Sequence, residues 1–406
     1  MQYVRVSAKW LAVALCVGLP GGALGALFHH GVELATHLRT QNPWTLWLLP
    51  LCGVGIALLY QLLHTQGLGT NAVIDAVHQG RRLPVRLIPA IFVGTVLTHL
   101  CGGSAGREGA ALQIGGDLGE HLAQLFRLDD KDTRIATLCG MSALFSALFG
   151  TPLTAVFFAM EVISVGVLYY AALLPCLTAS LTAYAVASRL FHVAPTRFSV
   201  SVPALDALML VRVAVLALGC AMVSILFCEA MHRSEQLAAR LLPNVCLRAF
   251  CGGCLVIVLT LAVGCRDYNG AGMDVITAAL SGTAKGEAFL LKIVFTAVTL
   301  GCGFRGGEVI PTFFVGAVFG CTAAGVLALP APFAAAVGIV SLFCGVVNCP
   351  VSSILLSIEL FGAEGLVAFA VACAVSYVFS GYRGLYHSQT ILYSKLRAEF
   401  VNRHTK

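Results

Sequence analysis

Runs of apolar residues, several cut short by glycine or proline, are the feature that most restricts what this chain can fold into. They lie at about 10–28, 43–64, 87–101, 135–160, 162–191, 207–229, 247–264, 287–302, 309–329, 333–347 and 363–379 of the 406 residues. A helix that crosses a bilayer needs about 20 such residues, and a run of about 10–15 reads as a half-helix or a re-entrant segment. No water reaches the backbone inside a bilayer, so a break survives there only where protein buries it or where it lines a cavity. The 42 glycines suit both the breaks and close helix packing. Composition agrees, with 58% apolar and 11% charged residues against about 25% charged in soluble domains. The expectation is an all-α integral membrane protein, one transport domain over residues 1–406, with no cytoplasmic regulatory domain. No signal peptide is evident, and the first helix is expected to act as its own insertion signal.

The formal charge of +6 sets orientation, because basic loops stay cytoplasmic, and it implies no nucleic-acid partner. Sixteen cysteines are present, nearly all inside apolar runs, where free thiols behave as small hydrophobes. The one Cys-x-x-Cys pair, Cys251 and Cys254, has no second pair or nearby histidines to complete a zinc site. His29, His30, His64, His78 and His99 are scattered without ligand spacing, so no metal site and no cofactor is expected.

Internal similarity organises the rest. Gly67-Leu68-Gly69-Thr70-Asn71 is echoed by Gly270-Ala271-Gly272-Met273-Asp274. Gly106 to Gly119 is echoed by Gly307 to Gly320, and Gly140 to Glu161 by Gly338 to Glu359, each about 200 residues later. Glu161 and Glu359 recur at one repeat position, which predicts a shared role at helix ends. Asp75, Asp117 and Asp274 are expected to cap or pair near helix ends. The loop Phe126 to Arg134 is densely charged, whereas its counterpart, Ala324 to Pro332, carries no charge. Equivalent loops therefore face opposite sides. Two inverted halves, about 1–200 and 205–400, follow, with both termini cytoplasmic and the basic tail of Lys395, Arg397, Arg403 and Lys406 on the same side.

In inverted repeats the transported ion binds near the midplane, where broken helices aim their N-termini at an anion. The glycine-rich blocks at 67, 106 and 307 look like such breaks, and free N–H groups at a helix start attract anions without a buried lysine. Glu108 stands at the head of an otherwise apolar helix. It either complements the helix dipole, with Arg107 beside it, or competes with an anion for the same N–H groups and leaves when protonated. At membrane depth an ionisable residue is functional by default, which favours the proton-linked gate.

The run Gly106-Arg107-Glu108-Gly109-Ala110 through Gly115 resembles the gating-glutamate signature of the CLC chloride channel and proton-antiporter family. The likeness extends over essentially the whole chain, through Gly67 to Asn71, Gly150-Thr151-Pro152-Leu153, Gly301 to Pro311 and Tyr386. It implies a CLC-type inverted-topology repeat with broken and re-entrant helices, a homodimer with one pore per subunit, and Glu108 as the gate. The anion site it implies is formed by Gly67, Leu68, Gly69, Thr70, Asn71, Gly106, Arg107, Gly109, Val309, Ile310 and Tyr386. By the same resemblance Tyr386 points its hydroxyl into the pathway, leaving Tyr382 as the interfacial anchor.

Three departures from the chloride-transporting pattern point to the bacterial fluoride/proton antiporter branch. Leu68 stands where chloride members carry serine, Glu308 is an added acid resembling one in the fluoride branch, and Val162 lies where an internal proton-relay glutamate falls in chloride exchangers. Fluoride is small and strongly hydrated, so it needs closely placed donors such as Thr70 and Asn71. Glu308 either relays protons or is a structural partner of Arg305. Phe313 and Phe314 are read as core. The expected function is export of fluoride in exchange for protons across the inner membrane. A chloride channel or chloride/proton antiporter of the same fold and a passive fluoride channel remain as alternatives. An intramembrane enzyme is not expected, since no nucleophile–base or metal motif occurs.

Overall fold

The computed structural model describes residues 2–80, 82–204 and 206–405, with side chains from residue 4 onward, so the tail residue Lys406 lies outside the described residues. In chain order its helices are α1 (Gln2–Gln41), α2 (Leu49–Leu62), α3 (Thr70–Gln79), α4 (Leu87–Leu100), α5 (Glu108–Leu125), α6 (Asp130–Phe149), α7 (Pro152–Glu161) and α8 (Leu173–Arg189). They continue as α9 (Ala207–Leu241), α10 (Val245–Val263), α11 (Met273–Leu280), α12 (Ala288–Gly301), α13 (Val309–Leu327), α14 (Ala331–Val347), α15 (Pro350–Phe361) and α16 (Leu366–Phe379). Among the described residues, six helical stretches are long and apolar enough to cross a bilayer, and others are apolar but shorter. Leucines such as Leu51, Leu58, Leu255 and Leu261 point outward, as expected of a surface solvated by lipid tails.

The eight helices of one half are repeated in the other, and so is their packing. α1 lies on α6 and α8, as α9 lies on α14 and α16, while α5 packs on α6 as α13 packs on α14. Close approach makes these last two interfaces. A methyl on Gly115 or Gly140 would overlap the other's carbonyl, Gly119 meets Ala136 in the same way, and Gly316 with Gly338 and Gly320 with Ala334 repeat the arrangement. Small residues allow backbones to meet where no hydrophobic drive exists between helices in lipid.

The halves are inverted, and paired contacts at their junction express it. Glu359 near the end of α15 accepts the N–H groups of Leu153 and Thr154 at the start of α7, at 2.9 and 2.8 Å. Glu161 at the end of α7 returns the contact, accepting from Val351 and Ser352 at the start of α15, at 3.2 and 2.9 Å. Each carboxylate thus satisfies orphan donors of the partner helix and complements its dipole, the helix-end role expected of the pair. Asp117 sits within α5, fully buried; it pairs with His121 Nδ1 at 2.9 Å and faces the Ile88 N–H at the start of α4, a helix-end position of the expected kind.

The apolar run at 162–191 is interrupted, because Ser164–Val165 forms a short strand, β1, and α8 begins only at Leu173. β-branched Val165 favours extended backbone, and Gly166 turns the chain at φ +92°. A small sheet accompanies the helices: β1 pairs with β2 (Thr390–Tyr393), which pairs with β3 (Phe400–His404). The basic tail is therefore folded. Lys395 Nζ donates to the Tyr377 carbonyl at 2.8 Å and to Ser380 Oγ at 3.1 Å, and also to Asn348 Oδ1. A cation thus lies where α14 and α16 present their carbonyl ends, the negative end of each helix. The Tyr382 hydroxyl donates to Ser394 Oγ at 3.0 Å, which ties it to the tail.

The glycine interface yields a stability test. Gly140→Ala is expected to lower the thermal midpoint of the detergent-purified protein by several degrees, an overpacking cost of about 1–3 kcal/mol. Gly325→Ala, where a methyl meets open space, should leave the midpoint unchanged or slightly raised. Equal midpoints for the two variants would remove the packing role.

Candidate functional site

The breaks before α5 and α13 meet at the centre. Gly106 donates its N–H to the Gly307 carbonyl at 2.6 Å, and Gly307 returns the bond to Gly106 at 2.7 Å, forming an isolated antiparallel bridge. Glycine is required here, because a Cβ on Gly307 would lie 2.5 Å from the Gly109 nitrogen and 2.9 Å from that of Glu108. The bridge holds the starts of α5 and α13 side by side, two positive helix ends aimed at one region. His99 Nε2 adds a bond to the Gly106 carbonyl at 3.1 Å.

Glu108 fills that region. Its carboxylate is fully buried, accepts the Arg107 N–H at 3.0 Å and faces the Ile310 N–H at the head of α13. The carboxylate is thus the negative group set against both helix starts. The Arg107 guanidinium approaches Glu108 at 3.7 Å from the side of Glu33 and His29. On the other side, Glu308 Oε2 lies against Gly109, 2.9 Å from where a Cβ would stand, and has no hydrogen-bond partner. Among the described residues Arg305 makes no ion pair with Glu308. Its guanidinium instead stacks over Tyr60 at 4.0 Å, so the reading of Glu308 as a structural partner of Arg305 finds no contact.

Glu308 borders a cavity of about 160 Å³ whose wall also includes Gly69, Thr70, Asn71 and Tyr386. The Tyr386 hydroxyl is buried and unpartnered there. Thr70 accepts a hydrogen bond from Gln113 Nε2 at 2.9 Å, leaving its own O–H to donate. Asn71 Oδ1 accepts the Ser388 N–H at 3.1 Å, which turns its amide N–H₂ to other use. The tail fixes the tyrosine's backbone, since Thr405 donates its hydroxyl to the Tyr386 carbonyl and its N–H to Gln389.

The predicted residues divide into three groups. Glu108, Gly106, Arg107, Gly109, Val309 and Ile310 gather at the junction of the two helix starts. Gly69, Thr70, Asn71, Glu308 and Tyr386 line the cavity. Gly67 and Leu68 fall on the wall of an adjoining cavity of about 240 Å³, beside Arg305 and Glu235, rather than on the inner wall. The absent hydroxyl at Leu68 therefore concerns the approach. The repeat counterpart of the α3 break behaves differently, as Gly272 at the head of α11 opens on a separate pocket with Arg39 and Asp274.

Several residues escaped the sequence reading. Gln113 carries the clearest signal, a polar side chain inside an apolar helix five residues after Glu108. His232 and His387, stacked at 3.8 Å, and Glu235 come from distant segments and meet only in the fold. Phe313 packs against Phe149 and Phe343, the core position expected of it.

A family model described as voltage gated chloride channel matches residues 52–381. A chloride/fluoride channel protein of Pseudomonas syringae pv. tomato is 38% identical over 399 residues, covering 96% of this chain and 88% of that protein. An H(+)/Cl(-) exchange transporter of Vibrio cholerae is 27% identical over 391 residues, covering 86% and 81% of the two chains. Among solved structures, a CLC-type fluoride/proton antiporter superposes with a TM-score of 0.89 at 31% identity, over 95% of this chain and 98% of that one. A slow cyanobacterial Cl-/H+ antiporter, at 21% identity and a TM-score of 0.79 over 92% and 94% of the two chains, shares the fold. With its bridged helix starts and a buried glutamate between them, the chain is a multi-pass membrane protein that belongs to the CLC family and is similar to its fluoride/proton antiporter branch.

Proposed function

We propose that the protein exports fluoride in exchange for protons, with Glu108 as the gate and Glu308 as a proton carrier. The observation that carries this reading is the Glu108 carboxylate itself, buried against the Arg107 and Ile310 N–H groups, with a second, unpartnered acid oxygen on Glu308 close by. Deprotonated, Glu108 holds the anion position. Protonation removes its charge, so the same N–H groups prefer an arriving anion and the neutral carboxyl swings away. Its return as a carboxylate displaces the anion and leaves the proton on the other side.

Fluoride suits the cavity because the Thr70 and Tyr386 hydroxyls and the Asn71 amide supply donors at short range, replacing a tightly held hydration shell. The likeness to a chloride/fluoride channel protein and to a fluoride/proton antiporter supports the same anion. The charged segment Phe126 to Arg134 supports a cytoplasmic N-terminal face, and the Lys9–Asp132 ion pair ties the first helix to that segment. Fluoride leaving and a proton entering both carry positive charge inward, so an inside-negative potential drives the cycle by about 2.3 kcal/mol per charge per 100 mV. Two copies, each with its own pathway, form the unit implied by the family.

Efflux from proteoliposomes loaded with fluoride or chloride, with proton movement recorded alongside, tests the proposal. Fluoride efflux well above chloride, accompanied by proton uptake against its gradient, is the expected result. Equal or greater chloride flux would assign the chain to the chloride-handling members instead. Fluoride flux that a proton gradient cannot drive uphill would make it a passive channel.

Two variants separate the roles. Glu108→Gln should abolish proton coupling, and proton-driven fluoride transport at the wild-type rate would remove it as the gate. Glu308→Gln should slow coupled transport by about tenfold or more, in the range of a lost proton-transfer group, with little change in thermal midpoint. A purely structural acid would show the reverse pattern.

A further inference from the structure

A cluster on α1 stands apart from the site just described. Glu33 follows His29 and His30 by four and three residues, so one helical face presents all three. Glu33 Oε2 lies 3.6 Å from His29 Nε2 and 3.4 Å from His30 Nδ1, and the three ligand atoms all fall within 4.8 Å of one another. A tetrahedral ion bonded at about 2.0–2.2 Å spaces its ligands about 3.4 Å apart. Both distances to the carboxylate are therefore already those of a coordination edge.

The His30 ring nitrogen that would not bind the ion is committed elsewhere, Nε2 lying 2.9 Å from the Phe191 carbonyl. Donation of an N–H to a carbonyl fixes the tautomer and leaves the other nitrogen's lone pair free, the arrangement by which metal-ligating histidines are oriented. In His30 that free nitrogen is the one turned toward Glu33. His29 turns Nε2 to the same carboxylate, and its Nδ1 is buried without a hydrogen-bond partner. The Glu33 side chain is 65% exposed, so an ion can enter and water can complete its shell. Two imidazoles and one carboxylate select zinc or a similar late transition ion over calcium or magnesium.

We propose that His29, His30 and Glu33 form a zinc-class cation site beside the gate, and that its occupation inhibits transport. The coupling runs through Arg107, whose guanidinium lies 3.7 Å from the Glu108 carboxylate and within reach of the charge on Glu33. A bound divalent ion replaces the negative charge of Glu33 with a net positive one. That favours the charged form of Glu108, which keeps the carboxylate in the anion position. Inhibition rests on the gating role proposed for Glu108, whereas binding of the ion does not.

Calorimetric titration of the purified protein with zinc chloride, with magnesium chloride as control, tests the site. One zinc per chain is expected that weakens about tenfold or more in His30→Gln and in Glu33→Gln, and no magnesium heat. Zinc binding equal in the wild type and both variants, as the cysteines alone would give, overturns the site. In proteoliposomes, zinc on the face that carries residue 33 should slow wild-type flux reversibly on chelation, with relief in His30→Gln relative to its own zinc-free rate. Variant-sensitive binding without slowing overturns the inhibition alone. Chloride-dominated flux that zinc still slows would fail the fluoride reading while sustaining this one.

Discussion

The mutual pair of hydrogen bonds between Gly106 and Gly307 is the contact on which the rest depends. It satisfies backbone groups that would otherwise be orphaned at membrane depth, and it does so by joining the two halves to each other. Because each glycine serves the other, the starts of α5 and α13 cannot separate without exposing both. The result is a fixed point where two helix ends offer N–H groups and no basic side chain has to be buried.

The same reciprocity recurs at the flanks. Glu161 and Glu359 exchange places at the heads of α15 and α7, and glycine pairs knit α5 to α6 and α13 to α14. An inverted duplication makes such exchanges natural, since a group at the end of a helix in one half finds the start of its counterpart. The symmetry is broken around the central cavity. α3 opens on the central cavity and α11 on another pocket, while the folded tail holds Tyr386 through Thr405 and seals helix ends with Lys395.

Glu108 and Glu308 are buried acids on either side of this junction. Their backbones are set by the bridge, so their separation depends on the fold rather than on flexible loops. In the proposed cycle a carboxylate that can hold or leave the anion position is a two-state element, which a charge near Arg107 would bias.

By itself the sequence determined the membrane class, the duplication, its inversion and the two breaks that meet at the centre. These are written in local signals: apolar run length, glycine spacing, and loop charge that disappears in the second copy. It also singled out Glu108, since an acid at the head of an apolar helix is conspicuous wherever the helix goes. Tertiary structure alone decided that Leu68 lines the adjoining cavity rather than the inner wall, that Gln113 supports Thr70, that Lys395 is half-buried against helix ends and that Tyr382 is tied to the tail. It also placed Glu33 against two histidines, one of them held at its other nitrogen by the carbonyl of 191. Those outcomes depend on which separate segments come into contact, and a hydrogen-bond partner ten or more residues away leaves no trace in local periodicity.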